Sequence, residues 1–520
     1  MSTLSQPVEG LLESYRLYLE KKRPREEEPK IEVDEIASKI AAFYEKFRNL
    51  IDYQESHLLR KNVIGRALRR RIFLKDISGE DIAEPLIKEI IRSGYLGNNT
   101  IPESKISEVQ RIIDNLLFFL EYGRSLSTSE GREFSEWIVG VTVCAIEETL
   151  ATPEKDRLLA TLMFQTLRRD LTIAGANVTD DVKDVLLFIA IQKSLFRVDN
   201  DQLHHRLLRL MFPEWENSNT ENSSSVAGSL FVTHKNVSDY LRHPLLPSFL
   251  KLCNHYNTVF QTLGDLVFSS KGFDDLEKDV EEVYQERYRK QRGRLFRMAF
   301  LSIISFFLSK ILVAVAIEVP IDLYIANHFS LFHTLLNIAL PPFLMLLIVA
   351  SIRLPSRKNL HLVQRAVRSI VFEGEREAYT VQTPKKKSWF IWFLVHFIYL
   401  VVFVVTIRII AAFLLSLGFS IANVVVFLLF TSLVTAVGVK IYNRSKDISL
   451  EKERPRFFNF LLDLFTMPLV TIGKWLIAGF RRFNIFVIFT NVFIEFPFQL
   501  IVEFFENLHE FVRNKKEEIQ

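Results

Sequence analysis

Residues Val280 to Glu318 read VEEVYQERYRKQRGRLFRMAFLSIISFFLSKILVAVAIE, charged in the first half and apolar in the second, with no Pro or Gly run between the halves. The spacing predicts one long helix, or two stacked helices, passing from water into a membrane. This junction divides the chain. Some 280 mostly polar residues precede it, and some 200 residues rich in Phe, Leu, Ile and Val follow.

Crossing hydrocarbon takes about 20 predominantly apolar residues. Four stretches qualify: 295–317, 331–352, 389–413 and 420–441. Their flanks set an orientation. Arg287, Arg289, Lys290, Arg292, Arg294 and Arg297 crowd the start of the first span, and EVPIDLYIANHFS after it has no Lys or Arg. The next connection, 353–388, has nine, the third near LSLGFSIA has none, and the fourth opens with Lys440, Arg444, Lys446, Lys452, Arg454 and Arg456. Strict alternation of cation-rich and cation-free connections fits a cytosolic N-terminus and an even number of spans. Trp389 and Trp392 fall at an inner boundary, where indole rings anchor. The first 30 residues lack an apolar run followed by a small-residue cleavage site, so residues up to 290 are expected in the cytosol.

The polar half reads as helices throughout. Residues 1–30 form a solvated tail, and 31–290 an all-α cytosolic domain interrupted by a flexible insertion at 214–229, EWENSNTENSSSVAGS. Apolar residues recur at three-and-four spacing from Val33 through Ile36, Ile40, Phe43, Phe47 and Leu50. They do so again at Val109, Ile112, Ile113, Leu116, Leu117 and Leu120, and at Phe134, Trp137, Ile138, Val141 and Cys144. No alternating strand pattern stands out. The stretch from Arg60 to Lys75 is basic nearly all round, which predicts a solvated helix or one touching anionic lipid heads rather than a nucleic-acid groove.

Residues 291–442 are the four-span region, with 353–388 as a basic cytosolic loop, and 443–520 are read as amphipathic interfacial helices and a charged tail. There Asn491, Glu495, Gln499, Glu503, Glu506 and Glu510 form one polar stripe on an apolar helix. An acidic stripe is repelled by anionic lipid heads, so a protein partner or a second copy of the chain is its expected contact.

Catalytic signatures are missing: no GxxxxGK[ST], HExxH, CxxC or GxSxG is present. Cys144 and Cys253 are the two cysteines, and Cys253 with His255 falls short of the four ligands zinc takes. The adjacent pairs Glu147–Glu148 and His204–His205 diverge around a helix, the histidines reading as a surface pair. No metal, cofactor or nucleic acid is expected. The unusual residues lie in the spans: Lys310, His396 and Arg408, with Glu318 and Asp322 waiting at the outer end as counterions. Cations in hydrocarbon are functional candidates by default. Lys310 and Arg408 also lie close enough to the outer end to snorkel. A transport pathway would add buried acids or broken helices.

Two stretches, DYQESHLLRKNVIGRALRRRIFL at 52–74 and FNIFVIFTNVFIEFPFQLIVEFFENLHEFVRNKKEEI at 483–519, resemble segments of uncharacterised multi-pass membrane proteins of reduced-genome, candidate-phylum bacteria. The resemblance implies a bacterial plasma membrane and no particular activity. The expectation is an inner-membrane protein with both termini cytosolic, acting as a non-catalytic scaffold or assembly factor. The alternative is a transporter or channel component using Lys310 and Arg408.

Overall fold

The computed structural model describes residues 3–22, 28–34, 55–74, 82–175, 178–213, 215, 223–269, 273, 275–324, 330–351, 357–372, 378–383, 388–445, 449–450 and 457–482 of the 520. Among these the chain is all-α apart from one pair of four-residue strands. It divides into two compact units: Met1–Lys271 with Val367–Pro384 and Phe496–Gln520, and Gly272–Ala366 with Lys385–Glu495.

In the first unit the described helices are α1 (Gln6–Lys21), α2 (Ser56–Leu74), α3 (Ala83–Arg92), α4 (Ser104–Ser125), α5 (Thr128–Leu150), α6 (Glu154–Arg169), α7 (Asp180–Leu195), α8 (Asn200–Met211), α9 (Ser223–Leu241) and α10 (Leu246–Phe268). The two periodic faces read from the sequence meet: Val109, Ile112, Ile113 and Leu116 of α4 share a core with Phe134, Ile138 and Val141 of α5. Leu68 of α2 and Leu86, Ile87 and Ile90 of α3 join the same core. Each fully buried side chain of this size contributes roughly 1.5–3 kcal/mol. Residues 223–229 begin α9, where Val226 and Ala227 are buried.

Within the stretch read as a solvated tail, residues 6–21 form α1, whose apolar face buries Val8, Leu11 and Tyr15. Three further details of this unit depart from the sequence reading. Val33 and Asp34 are not helical, and the rest of that stripe, 35–54, lies outside the described residues. The Asn98 amide holds both backbone groups of Val33: the Val33 N–H donates to Oδ1, and Nδ2 donates to the Val33 carbonyl, each at 3.0 Å. That occupies the groups a helix would use. Second, β1 (Leu171–Ala174) pairs in parallel with β2 (Tyr379–Gln382), from Leu171 opposite Tyr379 to Ala174 opposite Gln382. Four residues are too few for an alternating pattern to show, and the partner strand lies some 200 residues away. Third, four cations of α2 are paired with acids, while Arg69 is exposed. Arg60 donates to Glu147 Oε1 at 2.6 Å, Lys61 binds Asp199 and Asp201, and Arg70 and Arg71 both bind Glu89. Val63, Ile64, Ala67 and Leu68 between them are buried, so α2 is a core helix whose basic periphery meets acids from α3, α5 and the start of α8.

Among the described residues the second unit holds four helices long and apolar enough to cross a membrane: Leu276–Tyr324, Leu331–Ala350, Trp389–Ser416 and Ile421–Ser445. The first is continuous over 49 residues, α11 (Leu276–Val313) passing through a π-helical turn at Ala314–Glu318 into α12 (Val319–Tyr324). The others are α13 (Leu331–Ser351), α15 (Trp389–Ser416) and α16 (Ile421–Ser445); α14 (Arg357–Val371) lies between α13 and β2. The chain is therefore a multi-pass helical membrane protein. Most apolar side chains of α15 are left uncovered by protein, as on a helix facing lipid. Below the apolar part, the buried Asn359 donates to the Tyr284 hydroxyl at 2.7 Å and accepts the Leu450 N–H at 2.6 Å. A further helix, α17 (Phe457–Arg482), lies against α16. Gly473 makes this approach possible, because a Cβ there would stand 2.1 Å from the Ser432 carbonyl oxygen. Small residues let membrane helices close up in this way. The acidic stripe at Glu495, Gln499, Glu503, Glu506 and Glu510 lies outside the described residues.

Candidate intramembrane polar site

The π-helical turn at Ala314–Glu318 has a local cause. Pro320 has no N–H for the carbonyl of Ala316, and its ring crowds that carbonyl. A wider turn just before the proline relieves the clash, and such turns recur at functional sites. It also sets where Glu318 points. Glu318 is 1% exposed and accepts from the Lys310 ammonium, which is itself 0% exposed. The second Glu318 oxygen, Oε2, accepts from Asn337 Nδ2 on α13 at 3.0 Å. The Lys310 ammonium also lies 5.0 Å from the centre of the Phe430 ring on α16, within cation–π range.

One turn on from Glu318, Asp322 is 3% exposed and bonded from α16: the Ser420 hydroxyl donates to Oδ1 at 2.9 Å and Asn423 Nδ2 to Oδ2 at 2.7 Å. The Ser420 hydroxyl in turn accepts the Asn423 N–H at 3.3 Å, capping the first turn of α16. Two carboxylates on one helix face thus each meet an asparagine from a different span. The arrangement continues along α16, where Thr431, Ser432 and Thr435 are buried. On α13, Pro341 and Pro342 withdraw the helical donors of the Asn337 and Ile338 carbonyls, since a helix pairs N–H with the carbonyl four residues back.

The sequence-derived candidates separate. Lys310 does not snorkel, because it is enclosed and paired. Glu318 is its counterion, whereas Asp322 turns to Ser420 and Asn423. Arg408 is exposed on α15 and no contact joins it to Lys310. His396 is exposed, its Nδ1 2.7 Å from the Trp392 carbonyl and its ring 4.0 Å from the Trp392 indole. Asn337, Asn423 and Ser420 escape a search for charge alone; their trace in the sequence is an amide or hydroxyl inside or capping a span.

A second polar network is buried in the first unit. The Glu148 carboxylate, 6% exposed, accepts from Arg206 Nε at 2.9 Å and Arg157 at 2.8 Å, with His205 3.6 Å away. Burial alone would raise its pKa, but His205, Arg206 and Arg157 hold it well below the usual carboxylate range. His204 and His205 are buried, not a surface pair; the two rings diverge into protein on different sides, His204 beside Trp137 and His234 and His205 beside Trp215. Burial pushes the His57 and His204 imidazoles down to about 4. Among the described residues no group of His, Cys, Asp and Glu there has the arrangement of a metal site. The chain matches no protein-family model, no curated protein and no solved structure.

Proposed function

We propose that the membrane unit is the translocating part of a transporter or channel component, with Lys310, Glu318 and Asn337 as the polar station inside the bilayer. The observation that carries this reading is the full enclosure of Lys310 against Glu318 at a π-helical turn. A buried ion pair is a poor source of stability, since well-packed apolar residues of the same volume do as well or better. Intramembrane charges mark ion and substrate pathways, and π-helical turns recur at functional sites. Arg408 falls out of this role. The scaffold reading rests on the helical first unit and the acidic C-terminal stripe, neither of which needs a charged pair inside the membrane. Placement in a bacterial inner membrane, with both termini and 353–388 inside and 318–330 outside, belongs to the same proposal.

The test is flux in vesicles reconstituted with the full chain, loaded with a pH-sensitive or a sodium-sensitive dye and given an imposed potential. Flux is expected in the wild type and lost in Lys310→Met and in Glu318→Gln. Flux unchanged in both variants, or none above empty vesicles with either dye, would overturn the reading.

A further inference from the structure

The charges enclosed between α11, α12, α13 and α16 do not balance. Lys310 brings one positive charge, and Glu318 and Asp322 bring two negative ones, four residues apart on one helix face. Lys310 is committed to Glu318. Among the described residues the hydrogen-bond partners of Asp322 are the neutral Ser420 and Asn423. The N-terminus of α16 faces it with a partial positive charge, roughly half an elementary charge. That leaves a buried excess negative charge in a segment read as membrane-embedded, where an uncompensated ion is costly.

The same place has oxygen acceptors without donors. Among the described residues, Asn337 Oδ1 and Asn423 Oδ1 are buried without a hydrogen-bond partner, on residues 0% and 3% exposed. Each amide touches a carboxylate through its nitrogen, so each orphaned oxygen belongs to a side chain already in contact with Glu318 or Asp322. On α13 the Asn337 and Ile338 carbonyls lose their four-residue helical donors to Pro341 and Pro342. Hard cations take carboxylate, amide and backbone oxygens together, and freed backbone carbonyls coordinate sodium in transporters.

From this excess charge and these orphaned oxygens we propose that Asp322, Asn423 and Ser420 form a site for one alkali cation, sodium being the best fitted. A proton would neutralise the charge but would leave the amide oxygens unused. The proposal deepens the transport reading by naming its coupling ion, and its test is one of binding rather than flux.

The experiment uses the purified full chain in detergent, with Tm measured in sodium chloride against choline chloride at equal ionic strength. Sodium should raise Tm, the shift growing with the logarithm of its concentration as for any ligand of the folded state. Asp322→Asn keeps the shape of the side chain and should abolish the shift. Asn423→Ala should weaken the apparent sodium affinity roughly 10–100-fold, the usual loss when a metal-site partner is removed. Equal Tm values in sodium and choline overturn the site, as does a full sodium shift in Asp322→Asn. A Tm that responds to acidification through Asp322 but not to sodium overturns it in favour of a proton. A sodium shift without flux refutes the transport reading and leaves the site; flux without a sodium shift does the reverse.

Discussion

Replacing Lys310 by Met and Glu318 by Gln, singly and together, separates a buried ion pair from a snorkelling lysine. The two side chains are 0% and 1% exposed and bonded to each other, with Asn337 on the far oxygen of Glu318. Lys310→Met leaves a carboxylate with one amide donor, and Glu318→Gln leaves an ammonium facing an amide and the Phe430 ring. Removing one member of a buried pair costs about 3–5 kcal/mol, because the other stays charged and uncompensated. Removing both leaves no such charge, so the double variant should lie within about 1 kcal/mol of wild type or above it. The coupling energy is then several kcal/mol, against about 0–1 for an exposed pair. Unfolding in mixed micelles by SDS titration, reported by a dye on Trp475→Cys in the second unit, measures all four corners without averaging over both units. Singles that each cost under about 1 kcal/mol and simply add would show that water reaches Lys310 and would refute the reasoning.

Gly473→Ala forces a Cβ to 2.1 Å from the Ser432 carbonyl oxygen and 2.7 Å from the Ala436 Cβ, so α16 and α17 must separate. It should cost about 1–3 kcal/mol by overpacking, whereas Gly479→Ala on the same helix, with nothing within 4 Å, should be neutral or gain up to about 1 kcal/mol. Equal Tm values for the two variants contradict the packing. In the first unit, His57 and His204 titrate near 4 when folded and near 6.5 when unfolded. The unfolded chain therefore takes up protons first, and stability present above pH 6.5 is lost as pH falls toward 4, by at most about 3 kcal/mol per histidine. Tm against pH should fall less steeply in His204→Phe than in wild type, and parallel curves would exclude His204 as a contributor. Burial raises the pKa of both free thiols, Cys144 and Cys253. Maleimide at pH 7.5 should leave both unmodified until denaturant is added, as mass spectrometry would record; rapid labelling of the folded chain would contradict their burial.

Part of this molecule was legible from composition and spacing, and part was not. The four spans emerge from apolar runs of about 20 residues, because the cost of exposing backbone and charge to hydrocarbon is met or not met within each helix. The packed faces of α4 and α5 emerge because helical periodicity is a property of neighbours on one helix. The acidic stripe from Glu495 to Glu510 rests on its periodicity alone.

Only the tertiary structure decided which charges matter. Lys310 and Arg408 look alike in sequence, each a cation near the outer end of a span, yet one is enclosed and the other exposed. The partners that make the difference, Asn337 to Glu318 and Asn423 to Asp322, come from 19 and 101 residues away. The same holds for α2, whose cations read as solvated until Glu147, Asp199 and Asp201 arrive from 87 to 140 residues away. A span is selected by the summed transfer energy of adjacent residues, which the chain states locally. A buried charge is compensated by hydrogen bonds and ion pairs that reach only a few ångströms, so its partners are fixed by how the helices pack.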